Sequence, residues 1–214
     1  MYDTPPADTR ERILHFAARL FAEQGFDAVS VREVCEAAGV SKPVIYYHFQ
    51  SRDGLVLAVL ERLGEGFSRL ARRHLQDVAP SVAGLVDLVE ALLDLGTGDA
   101  WVVRMMQRLP GLEQRILRQL PAPEEHEAPL VLFIERGMRS GVFPPSTDPH
   151  AVVWLLFGAF ARMASLRLCC ADAWTSRDMA QRLVTQALGG PATTHTRAAP
   201  RPAKNAPDLQ ELNP

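Results

Sequence analysis

The segment KPVIYYHF, Lys42 to Phe49, gathers a cation, two phenols and an imidazole within eight residues. At about 100° per residue, Ile45 and Phe49 share one narrow arc, and Pro43, Val44, Tyr47 and His48 spread over the opposite side. A short helix that gives so little of its surface to a core faces something outside the protein. The chemistry suits duplex DNA. Lys42 can donate to guanine O6 or N7 or to a phosphate, and Pro43 and Val44 offer apolar contact to a thymine methyl. Tyr46, Tyr47 and His48 carry groups that can bond phosphate oxygens, although the tyrosines could equally cover the domain's own surface.

Stepping upstream, the elements that must hold this helix are legible. Thr9 onward shows apolar residues at helical spacing (Ile13, Phe16, Ala17, Leu20, Phe21) and stops near Gly25. Ser30-Val-Arg-Glu33 is a capping box: the Ser30 oxygen accepts from the Glu33 amide and Glu33 reaches back. Val31, Val34, Cys35 and Ala38 then form an apolar stripe that Gly39 ends. Helix Val31–Ala38, a turn through Gly39-Val40 and helix Lys42–Phe49 make a helix-turn-helix, with Ser41 expected as N-cap and Pro43 in the first turn. The second helix of such a motif enters the major groove. Arg32 at the start of the first helix can reach a phosphate or a guanine, and Ser30 can hold another phosphate. Arg52, beside the amides that follow Ser51, is a candidate phosphate contact at a helix N-terminus. The DNA-binding set is therefore Ser30, Arg32, Lys42, Pro43, Val44, Tyr46, Tyr47, His48 and Arg52.

The rest of the 214-residue chain is helical in period up to about Leu188, with no alternating strand run. A fourth helix starts at Ser51 and runs to about His74. Longer apolar helices are expected over 81–96, 98–109, 111–119, 123–140, 148–169 and 175–188. The net charge of −2 excludes a broadly basic polyanion binder and confines any nucleic-acid contact to a local patch. Cys35, Cys169 and Cys170 are odd in number and lack metal spacing, as in a reduced, cytoplasmic protein. The most apolar run, 151–161, is about half of the roughly 20 residues a membrane span needs, so no membrane partner is expected. The first eight residues and the tail from residue 190, with five prolines in its last 24 residues, are expected to be disordered. No nucleophile–base pair, phosphate loop or metal cluster is apparent; catalytic residues, metals and cofactors are not expected. Glu124-Glu-His-Glu127 reads as a solvated helix start rather than a metal site.

The stretch TRERILHFAARLFAEQGFDAVSVREVCEAAGVSKPVIYYHFQSRDGLVLAVLE resembles the DNA-binding domain of the TetR (tetracycline-repressor) family from end to end. It departs mildly, with Pro43 where many relatives have a small residue and Cys35 where Ala is usual. The resemblance covers about a quarter of the chain. It implies an all-α protein with a three-helix DNA-binding domain (9–55), joined by a long helix to a helical effector-binding and dimerisation domain (56–189). It also implies a homodimer on a near-palindromic double-stranded operator, acting as a ligand-responsive regulator, most simply a repressor. Helices 148–169 and 175–188 would build the twofold interface, aided by the small residues Gly158, Ala159, Ala161 and Ala164. Trp101, Met105, Phe133 and Phe157 are candidate walls for an unidentified small-molecule effector, and they serve a plain core equally well. A DNA-binding protein without an effector is the alternative.

Overall fold

Asp8 opens the first helix. Its carboxylate accepts the Glu11 amide at 2.9 Å, which corrects the expectation of disorder through residue 8 at this one position. The computed structural model describes residues 7–98, 100–109, 112–120, 123–169 and 175–189, with 95–98, 100, 123–124 and 164–169 described by backbone alone. The tail from 190 and the segment 1–6 lie outside the described residues, as do Cys170 and the Cys169 side chain.

The described residues form ten helices and no strand, the all-α architecture expected. They are α1 (Thr9–Gln24), α2 (Val31–Ala38), α3 (Lys42–Phe49), α4 (Arg52–Leu75), α5 (Val82–Gly98), α6 (Ala100–Arg108), α7 (Gln114–Leu117), α8 (Pro123–Arg139), α9 (Pro149–Cys169) and α10 (Ser176–Ala187). Most boundaries lie within two residues of those read from periodicity. The exception is α7, a single turn where 111–119 was expected. Beyond Leu117 the chain tightens: the Gln119 amide bonds to the Ile116 carbonyl, three residues back, and Pro121 follows in sequence.

Local chemistry sets the ends of the N-terminal helices. Ser30 and Glu33 complete the capping box, with the Ser30 amide 2.8 Å from the Glu33 carboxylate and the Glu33 amide 3.3 Å from the Ser30 hydroxyl. The Ser30 amide first, and its hydroxyl second, hold the Glu33 carboxyl below the ordinary glutamate value. Gly39 closes α2 at φ 64°, a left-handed geometry that costs a glycine little. Ser41 precedes α3 but its hydroxyl caps nothing, contrary to expectation; the turn is held instead by backbone bonds from Val44 and Ile45 to the Ser41 carbonyl. Ser51 does cap α4, accepting from Gly54 at 2.9 Å.

Two buried clusters result. The first joins Ile13, Ala17 and Phe21 of α1, Val34 of α2, Ile45 and Phe49 of α3 and Leu55, Val56 and Val59 of α4. It also takes in Met105, Leu112 and Ile116 from much later in the chain. The second lies between the C-terminal half of α4 and α5, α8, α9 and α10, around Leu75, Leu88, Phe133, Phe143, Val153 and Phe160. Helix α6 belongs to both. Trp101 and Met105, one turn apart, pack on the first cluster, and Val103 and Met106 pack on the second. Arg108 adds a hydrogen bond to the Glu23 carbonyl at 3.1 Å, and Arg115 pairs with Asp53. The N-terminal helices are thus gripped by a segment 62 to 85 residues further on.

Candidate nucleic-acid interface and interior cavity

On α3 the division between core and surface follows the expected arc. Ile45 and Phe49 are buried, and Lys42, Pro43, Tyr46 and Tyr47 are exposed, Tyr47 at 83%. Such a large exposed aromatic has no folding role, since burying a side chain of this size would be favourable. Val44 and His48 are half-buried. Val44 leans on the first cluster, so its side chain offers less to the outside than the wheel implied. The His48 ring stands edge-on to Tyr47 at a centroid distance of 5.1 Å.

The neighbouring candidates divide by what already engages them. Arg32 is exposed and forms a 2.8 Å pair with Glu36 one turn on, which raises its pKa chiefly through that hydrogen bond. Exposed pairs of this kind are weak and yield readily to a phosphate. Ser30 spends its hydroxyl on Glu33. Arg52 differs from its expected role. Its guanidinium turns inward, donating from Nη2 to the Phe26 carbonyl and from Nε to the Val29 carbonyl at 3.2 Å. Those carbonyls lie in the loop between α1 and α2, so Arg52 braces the motif from behind. Its spacing from α3 could not reveal this, because the partners lie more than twenty residues upstream.

The four residues expected to wall an effector pocket do not meet. Met105 and Trp101 belong to the first cluster, against the N-terminal helices. Phe133 is fully buried in the second, its ring facing Phe143 at 6.2 Å and carrying the Arg136 guanidinium over it. Arg136 itself donates to the Leu75 carbonyl at 2.8 Å, closing the end of α4. Of the four, Phe157 lines a cavity among the described residues, with Phe67 and Ala71 of α4, Leu88 and Leu92 of α5, and His126, Glu127 and Leu130 of α8. The enclosed space is about 10 Å³, room for about one water. His126 and Glu127 therefore turn inward, which corrects the reading of a solvated helix start at these two positions, while Glu125 is exposed as expected. The missed signal was positional: Glu127, Leu130 and Ile134 share one helical stripe, a polar residue set into an apolar face.

An N-terminal helix-turn-helix with an exposed second helix, carried on a larger helical body, is the architecture of a helical DNA-binding regulator. Residues 13–59 match the family model described as bacterial regulatory proteins, tetR family. It is 33% identical over 102 residues to the transcriptional activator FasR of Mycolicibacterium smegmatis, a match spanning 48% of this chain and 47% of FasR. The chain thus spans about half the length of that relative. Its fold is similar to that of the fatty acid degradation regulator FadR of Bacillus halodurans (TM-score 0.73, 16% identity, 87% of this chain and 98% of that one). It is also similar to AibR, solved with isovaleryl coenzyme A and operator DNA (TM-score 0.65, 20% identity, 86% of this chain and all of that one). The curated relatives that the chain matches over part of their length are named as transcription regulators. No helix among the described residues is long and apolar enough to cross a membrane.

Proposed function

We propose that this chain is a homodimeric, ligand-responsive transcription regulator that binds a near-palindromic operator through Lys42, Pro43, Tyr46, Tyr47 and His48. One observation carries the reading: α3 buries Ile45 and Phe49 and leaves a cation and two phenols exposed on a surface that does nothing for the fold. Val44 contributes at the edge of this surface, and Arg32 supplies a phosphate contact once released from Glu36. Ser30 and Arg52 act by positioning, the one by capping α2 and the other by bracing its approach. The unit spanning 9–55 is the DNA-binding part, and 56–189 is the part that dimerises and senses.

The dimer reading is supported by α9. Trp154 and Leu155 are exposed at 61% and 60%, and Gly158 and Arg162 continue the same face. Two adjacent large apolar side chains left in water favour a partner, and a twofold copy supplies the same face in return. The exposed positions of α10 (Arg177, Asp178, Gln181, Arg182 and Gln186) are polar and make the rim. Effector sensing is supported by the cavity, whose wall includes Phe67 and Ala71 of α4, the helix that follows α3 directly. The His126 ring also crosses Gly64 of α4, where a Cβ would lie 2.5 Å from it. An occupant that displaces these groups shifts α4 and changes the separation of the two α3 helices. AibR, of the same fold, is known with both an acyl-CoA and operator DNA.

The test is selection of bound fragments from random duplex DNA with the purified chain. An inverted repeat is expected, with half-site centres about 34 Å or a multiple of one DNA turn apart. No duplex preference at moderate ionic strength would overturn the reading. The water-sized cavity favours a second reading, a DNA-binding protein without an effector. Operator affinity that no small molecule changes, in a dimer that selects a palindrome, would establish it.

A further inference from the structure

Glu127 is a residue of the cavity wall whose chemistry the described residues leave unanswered. Its Oε2 is buried and accepts no hydrogen bond among the described residues. No ion pair among them includes it either. A carboxylate oxygen withdrawn from water without a donor is costly, and folding alone would favour a leucine here. Around it stand Leu88, Leu92 and Leu130, with the rings of Phe67 and Phe157 edge to face at 5.5 Å. A buried carboxylate acceptor in a wall that also holds two aromatic rings favours a cationic donor, since both kinds of group attract positive charge.

Resting on the reading of 56–189 as a sensing domain, we propose that its effector is a compact apolar molecule bearing a protonated amine. The ammonium donates to Glu127 Oε2, and the apolar portion lies between Phe67 and Phe157. An uncharged acyl chain would leave Oε2 without a donor, and a carboxylate ligand would add a like charge beside it. The enclosed space holds about one water, within about 260 Å³ free of atoms that opens toward the surface. Entry therefore displaces the two phenylalanine rings. Because Phe67 sits on α4, the displacement is transmitted toward α3.

The experiment uses the full chain and three probes matched in size: phenethylamine, 3-phenylpropionate and 2-phenylethanol. Binding is followed by calorimetry and by thermal shift. Phenethylamine is expected to bind at least tenfold more tightly than either counterpart, and Glu127→Gln should remove that preference. Glu127→Leu serves as a second variant, expected to melt no lower than the parent and to lose the amine preference, and Glu125→Gln as an exposed control that keeps it. Equal affinity for the three probes would overturn the proposal. So would an amine preference that survives Glu127→Gln, or no binding at millimolar probe, which would mean that a trapped water alone satisfies Glu127. A chain that selects an operator but ignores amines fails this inference only. One that prefers amines through Glu127 but selects no duplex fails the DNA-binding reading only.

Discussion

Gly54 lies so close to Phe49 that a Cβ on it would overlap the Phe49 carbonyl oxygen. This contact closes the turn between α3 and α4, and it pins the end of the short helix to the start of the long one. Gln50, inside the turn, is held at φ 64°, the one positive φ among the described non-glycine residues. The Ser51 cap bonds the Gly54 amide, so the same residue is fixed from two sides. The angle at which α3 leaves the body therefore depends on an absent methyl group.

Gly54→Ala is expected to destabilise the protein by about 1–3 kcal/mol, since the obstacle is backbone and cannot rotate away. Its denaturation midpoint falls, and duplex affinity falls with it as α3 is re-angled. An unchanged midpoint would show that the turn relaxes freely.

Arg52 and Lys42 should separate cleanly. Arg52→Ala removes the donors of the Phe26 and Val29 carbonyls and is expected to cost about 1–3 kcal/mol of stability. The salt slope of duplex binding should stay unchanged, because no phosphate contact is lost. Lys42→Ala should leave stability within about 0.5 kcal/mol. It should either weaken the preferred duplex by about 1–3 kcal/mol, if Lys42 contacts a base, or lower the salt slope by about one, if it contacts a phosphate. Urea melts and binding isotherms at several salt concentrations decide both.

Met105→Ala tests the shared core. Met105 is fully buried against the N-terminal helices, so truncation is expected to cost about 2–5 kcal/mol. Hydrogen exchange should rise in α1 as well as in α6. Protection lost from α6 alone would mean that the two halves are not coupled through this side chain.

Leu155→Glu tests the proposed twofold face. The side chain is exposed in the single chain, so the monomer should melt as before, while sedimentation shifts from dimer toward monomer and duplex affinity falls. Dimerisation that withstands the change would move the interface elsewhere.

The capping box makes a pH prediction. Because the folded-state pKa of Glu33 is depressed by its bonds from Ser30, its contribution is present above the unfolded pKa and is lost as pH falls through the folded one. Protection of the amides at the start of α2, taken relative to intrinsic exchange, should therefore fall in the parent as the pH drops below the ordinary glutamate range. In Glu33→Gln that acid-dependent step should vanish.

Much of this was legible before any coordinates. The Ser30–Glu33 box, the Gly39 turn, the buried pair Ile45 and Phe49, and the exposed tyrosines depend on interactions within about four residues. A linear pattern carries such interactions in full. The helical class and most helix limits follow for the same reason. The roles of Arg52, Met105 and Glu127 depend on partners from 23 residues away to across the whole second domain. An arginine next to a helix start looks the same whether it meets a phosphate or a carbonyl of a distant loop. A methionine on an apolar stripe looks the same whichever core it enters. The sequence determined which segments are helices and which short helix turns its polar face outward. Only tertiary packing decided which core each apolar face serves, and it left a Glu127 carboxylate oxygen in the interior without a donor among the described residues.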